Sequence, residues 1–109
     1  MEAKTPKDFF DKNLPARFNP QKAEGVDVTA QVNLTGTNGG NWIVTIRNKK
    51  LQVNEGEDPS PTLTITMTTS DFMDLVNDKI SVEKAFFSGR VNFEGSLSQA
   101  LKLRDAGFF

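Results

Sequence analysis

The chain has 109 residues, 37% hydrophobic and 25% charged, with 13 basic against 14 acidic side chains and a net charge of -1. That length buries roughly two thirds of the unfolded surface, so one domain over residues 1-109 with a single core is expected. The absence of cysteine and histidine removes disulfides, thiolate nucleophiles, the Ser-His pairing and the commonest metal ligand; the even charge balance leaves no footprint for nucleic acid.

The first predicted element is a short helix that Thr5 caps and Pro6 opens, with Asp8 near its positive end. Phe9, Phe10 and Leu14 form its apolar side, and Pro15 is expected to end it. Pro20 opens a second turn that Gly25 closes. From Val26 the apolar period becomes two. Val26, Val28, Ala30, Val32 and Leu34 share one face, and Asp27, Thr29, Gln31, Asn33 and Thr35 the other, which predicts a strand with one wet side. Gly36 to Gly40 reads as a hairpin loop leading to a strand with Trp42, Val44 and Ile46 inward. After a turn at Asn48-Lys49, a third strand at Leu51 to Val53 completes an antiparallel meander.

Asn54 to Pro61 is an acidic, proline-containing connection. A fourth strand over Thr62 to Thr68 sets Leu63, Ile65 and Met67 against a threonine face. Ser70 is expected to cap a helix over Asp71 to Asn77 that presents Phe72, Leu75 and Val76. Ser81 caps another over Val82 to Phe87 that presents Val82, Ala85 and Phe86, and Gly89 stops it. A fifth strand over Arg90 to Glu94 points Val91 and Phe93 inward. The last helix carries Leu97, Ala100 and Leu101 on one stripe, with Leu103 off it beside Gln99. The fold class expected is α+β: one five-stranded, largely antiparallel sheet with one face covered by short helices.

No apolar run exceeds three residues, as in Trp42-Ile43-Val44, whereas a membrane-spanning helix needs about 20. The opening Met1-Glu2-Ala3-Lys4-Thr5-Pro6 lacks the apolar stretch of a signal peptide, so a cytoplasmic address is expected. The glycine loop runs into a strand at Trp42, not into the Gly-Lys-Ser/Thr and helix of a phosphate-binding loop. Glu55, Glu57 and Asp58 lack the ligand spacing of a calcium loop. Phenylalanine is the unusual feature: nine, against one tryptophan and no tyrosine. Rings without hydroxyls either fill a core or line a dry cavity suited to an acyl chain or sterol. Phe108 and Phe109 are expected to plug or line its mouth.

Several segments stand in a recognisable order: LTGTNGGNW over Leu34 to Trp42, VNEG over Val53 to Gly56, and TITM over Thr64 to Met67 with Asp71-Phe72. AFFSGRVNFEG over Ala85 to Gly95 and ALKL over Ala100 to Leu103 follow. Together they resemble the sterol carrier protein type 2 domain. The upstream run from Pro15 through Phe18 and Pro20 to Gly25 is similar to the stand-alone bacterial and archaeal members of that family. The resemblance implies a five-stranded sheet backed by helices, with an apolar tunnel between them for a fatty acid, acyl-CoA or sterol. It implies no catalytic motif, cofactor or metal. The tunnel positions it implies are Ile65, Met67, Phe72, Leu75, Val76, Phe86, Phe87, Phe93, Leu101 and Phe108, to which the terminal Phe109 is added. Asn48-Lys49 and Asp78-Lys79 stand where the family usually has glycine turns, and Asn and Asp accept positive φ.

The reading is therefore non-catalytic lipid binding with intracellular transfer, in a chain with no transmembrane segment that makes at most transient membrane contact. Arg90 and Arg47 are the candidates for holding a carboxylate head group, Arg47 on the outward face of its strand. Three alternatives stand beside this reading: an interaction module whose groove receives a partner's apolar segment, an enzyme on acyl thioesters using Asp, Glu, Lys or Ser, and a small protein with a solid core.

Overall fold

The computed structural model describes residues 3–105; Phe108 and Phe109 lie outside the described residues. Five strands, β1 (Val28–Thr35), β2 (Gly40–Arg47), β3 (Lys50–Glu55), β4 (Leu63–Thr68) and β5 (Val91–Gly95), form one sheet in the order β3-β2-β1-β4-β5. β1, β2 and β3 are the expected antiparallel meander, and β4 pairs antiparallel with β5. β1 and β4 run parallel. The sheet is thus mixed, with one parallel pair among antiparallel ones.

That pair exists because the connection after β3 crosses the open face of the sheet and returns on the far side of β1. Gln31 fastens the crossing. Its Oε1 accepts the Asp58 N–H at 2.7 Å and its Nε2 donates to the Gly56 carbonyl at 2.9 Å. Alternation places Gln31 on the wet side, yet it is only 4% exposed: the covering loop removes water and supplies backbone partners in exchange. Farther on, the Thr62 N–H donates to the Thr29 carbonyl at 2.8 Å, ending the crossover where β4 begins.

Strand register makes the opposite face continuously apolar. Val32 lies across from both Trp42 and Ile65, Ile65 across from Phe93, and Met67 across from Val91. The turn between β2 and β3 uses Asn48 at φ 54° and Lys49 at φ 63°, and Asp78 stands at φ 61°. These positions take the left-handed conformation without glycine, and two such residues in succession suit the twist of a tight hairpin.

The N-terminal helical segment covers one half of the apolar face. It runs through α1 (Pro6–Asp8), a π-helical turn (Phe9–Asn13) and α2 (Leu14–Arg17), so Pro15 does not end it. Proline lacks the N–H that an α-helix would bond at that position. The chain widens the preceding turn instead, with the Leu14 N–H reaching the Phe9 carbonyl. Neighbouring Phe9 and Phe10 are both fully buried as a result. Phe10 stacks on Trp42 at 4.9 Å and on Phe72 at 5.5 Å, while Phe9 meets both Phe10 and Phe72 edge to face.

α3 (Thr69–Val76) carries Phe72. Its cap is Thr68, the last residue of β4, whose hydroxyl accepts the Asp71 N–H; the expected cap, Ser70, lies inside the helix. Arg17 donates to the Val76 carbonyl at 3.2 Å, and Asn77 exchanges two 2.9 Å hydrogen bonds with the Ala3 backbone. The C-terminal end of α3 is thereby held to the N-terminal segment. Replacing Gln31 by Leu strands a backbone N–H and a carbonyl beneath the crossover, and is expected to cost about 1–3 kcal/mol. Urea unfolding reads this directly, and an unmoved midpoint would contradict the pinning role.

Candidate functional site

The other half of the apolar face, over β4 and β5, is roofed by α4 (Val82–Phe87) and α5 (Leu97–Asp105). Ser81 caps α4 by accepting the Lys84 N–H. Gly89 at φ 76° ends that helix, and the Arg90 N–H bonds back to the Ala85 carbonyl at 2.9 Å. Gly95 then sets the path into α5. It stands at φ 113°, and a Cβ there would lie 2.6 Å from the Thr62 carbonyl oxygen. Only glycine permits both that backbone and that approach to β4. α5 packs its other side against the 3-10 turn Pro20–Ala23 and buries Leu103 there, which accounts for a leucine off the main stripe.

Between this roof and the sheet lies a cavity of about 220 Å³. Ile65 of β4, Leu75 of α3, and Val91 and Phe93 of β5 line it from one side. Val82, Glu83, Ala85, Phe86 and Phe87 of α4, with Leu97, Ala100 and Leu101 of α5, line it from the other. Eleven of the twelve described lining residues are apolar, and Glu83 is the one charged group among them. Among the described residues there is no cluster of three or more acidic groups placed to hold a metal ion. Among the described residues the lining thus carries a single carboxylate, that of Glu83. What it offers a ligand is desolvation and shape.

Of the residues singled out from sequence, Ile65, Leu75, Phe86, Phe87, Phe93 and Leu101 meet at this cavity. Met67, Phe72 and Val76 are not part of its lining. Phe72 belongs to the ring cluster under the N-terminal segment, Met67 is buried beside Leu34 and Val91, and Val76 borders a polar cleft with Lys12 and Arg17. Arg47 is paired with Asp27 at 2.9 Å on the opposite, open face; Arg90 is exposed beside Val91. Six lining residues were not singled out: Val82, Glu83, Ala85, Val91, Leu97 and Ala100. All but Glu83 stood on inward or apolar stripes. The overlooked signal is small size, since Ala85 and Ala100 leave space where a larger side chain would fill it.

A second apolar depression, at Phe10, Phe18, Leu51 and Val53, is broader and more open, with Asp11 and Lys50 on its border. The cavity under α4 and α5 is the better enclosed.

Residues 11–106 match the model of the SCP-2 sterol transfer family. The chain belongs to that family. Its fold agrees with the expected class, a five-stranded α+β sheet with helices on one face. Sterol carrier protein 2 of Homo sapiens is 36% identical over 64 residues, covering 59% of this chain and 12% of the human protein. The chain thus spans about an eighth of that relative's length. The solution structure of palmitated SCP2L2 from Aedes aegypti superposes with TM-score 0.70 at 27% identity, covering 88% of each chain. A stereoselective inverting sec-alkylsulfatase from Pseudomonas sp. superposes with TM-score 0.82 at 24% identity over 94% of this chain and 16% of its own. That last likeness is one of fold. Membership in this family places the domain among lipid-binding folds, and among the described residues no helix is long and apolar enough to cross a membrane.

The rings divide into those that fill and those that border. Phe72→Ala is expected to cost about 3–5 kcal/mol, whereas Phe87→Ala, at a side chain 85% exposed, should stay within about 0.5 kcal/mol of the parent. Chemical denaturation of the two variants checks the division; equal losses would contradict it.

Proposed function

We propose that this chain binds a fatty-acyl ligand, its hydrocarbon tail entering the cavity between the β4–β5 sheet and the α4–α5 roof, and carries it through water. The observation that supports this is the lining, eleven apolar residues of the twelve described, with one carboxylate. The palmitated Aedes relative, similar over 88% of this chain, supports the same ligand class. Burial of tail methylenes supplies the affinity at about 0.8 kcal/mol each, so complete burial of a sixteen-carbon tail sets an upper bound on the order of 10 kcal/mol before ordering costs.

The volume supports a flexible ligand over a rigid one. A cavity of about 220 Å³ is below the range of roughly 300–1,000 Å³ usual for drug-sized ligands. A flexible chain threads it part-way and leaves the rest between Phe86, Phe87, Leu97 and Leu101. A rigid fused-ring sterol cannot be divided in this way, so it fits a cavity of this size less well. The roof can yield, because α4 and α5 are short and rest on small side chains. Specificity for chain length should be broad, since one methylene changes little.

Ala100→Phe tests the proposal. The added ring displaces roughly three methylenes of ligand, about 2 kcal/mol, which is a fall in affinity of roughly thirtyfold. Titration with a fluorescent fatty acid measures it, with circular dichroism confirming the fold. Undiminished affinity in a folded variant would place the ligand elsewhere, and the Phe10–Val53 depression would be the next candidate.

A further inference from the structure

Four large apolar side chains stand in water on the rim of the cavity: Phe87 is 85% exposed, Leu97 56%, Phe86 46% and Leu101 44%. All four also line the cavity, so whatever covers them covers its opening. Scattered exposed apolar residues are ordinary, but four on one rim form a patch of the kind that meets a partner. Phe86 and Phe87 stand edge to face at 5.8 Å and form its most prominent part.

The charges beside the patch narrow the choice of partner. Lys84, Arg90 and Lys102 are all exposed. Lys84 precedes Phe87 by one helical turn on α4 and so shares its face. Arg90 follows the Gly89 turn, its backbone bonded to Ala85, and Lys102 is next to Leu101 on α5. Against them stands Glu83. A second copy docking by the same patch would set two sets of these cations against each other. An anionic surface complements them, and an apolar centre with basic side chains beside it is the composition that rests in a bilayer interface.

We propose that the rim formed by α4 and α5 is a membrane-docking face. Phe87, with Phe86, Leu97 and Leu101, enters the headgroup region of an anionic bilayer. Lys84, Arg90 and Lys102 lie against the lipid phosphates, their stems along the apolar edge. The cavity then opens into the membrane, and its ligand passes without crossing water. This rests on the fatty-acyl reading above, because it names the surface that loads and empties the same cavity.

The test uses the full chain carrying Phe87→Trp, against vesicles of phosphatidylcholine with and without phosphatidylglycerol. The native Trp42 is buried against Phe10 and contributes a constant background. The expected result is a blue-shifted emission and co-sedimentation with the phosphatidylglycerol vesicles, both weakened by salt. Adding Lys84→Glu and Lys102→Glu, neither of which lines the cavity, should weaken vesicle binding by at least about thirtyfold while uptake of a free fluorescent fatty acid is kept. No shift with vesicles, equal binding by the charge-reversed protein, or a shift that follows protein concentration without vesicles each overturns the proposal; the last identifies a second copy as the occupant. Uptake of free fatty acid without vesicle binding removes the docking face and leaves the cavity reading standing. Vesicle binding without uptake does the reverse.

Discussion

One continuous apolar sheet face, covered unequally, is the constraint from which the rest of this molecule follows. β2, β1, β4 and β5 align Trp42, Val32, Ile65 and Phe93 across the strands, so the hydrophobic effect demands a cover over the whole width. The N-terminal segment and α3 supply large rings over the first half, where Phe9, Phe10, Phe72 and Trp42 interlock. α4 and α5 bring Ala85 and Ala100 to the second half, and the shortfall in volume is the cavity. The packed half gives stability so that the hollow half need not.

The same inequality explains where movement belongs. α3 is fixed at its start by Thr68 and at its end by Arg17 and Asn77. α4 and α5 are joined to the sheet by glycine-containing turns at Gly89 and Gly95, and their outer residues stand in water. Local opening favours elements with few buried apolar contacts. A ligand too long for the resting cavity therefore meets its least resistance at the roof, next to the rim proposed to face lipid. On that proposal cavity, roof and rim act as parts of one device.

Most of the fold was legible because alternation reports faces without ambiguity. The strands, the Ser81 and Thr5 caps and the left-handed turn at Asn48-Lys49 needed only local rules. The parallel pairing of β1 with β4 was not legible, since a period of two names a strand's faces and not its neighbours. Gln31 shows why: its burial comes from a loop that is distant in sequence. Pro15 misled for the opposite reason, a local rule being overruled by a widened turn that buries Phe9 and Phe10 together. The candidate site was half legible. Inward stripes located β5, α4 and α5 correctly, but ring content pointed equally to Phe72 and Phe93, one packed solid and the other facing a void. Whether a ring fills or borders depends on how far the opposite element stands, and that distance is set by small residues such as Ala85 and Ala100.

Everything in the functional account requires a hydrocarbon tail to lie against the β4–β5 half of the sheet. Isotope-edited NMR with carbon-labelled palmitate and methyl-labelled protein observes that contact directly. Cross-peaks are expected from the tail to Ile65, Leu75, Val91 and Leu97, and none to Leu14 or Ile46 under the N-terminal segment. Cross-peaks confined to Leu51 and Val53, or no cross-peaks with the ligand in excess, would contradict it.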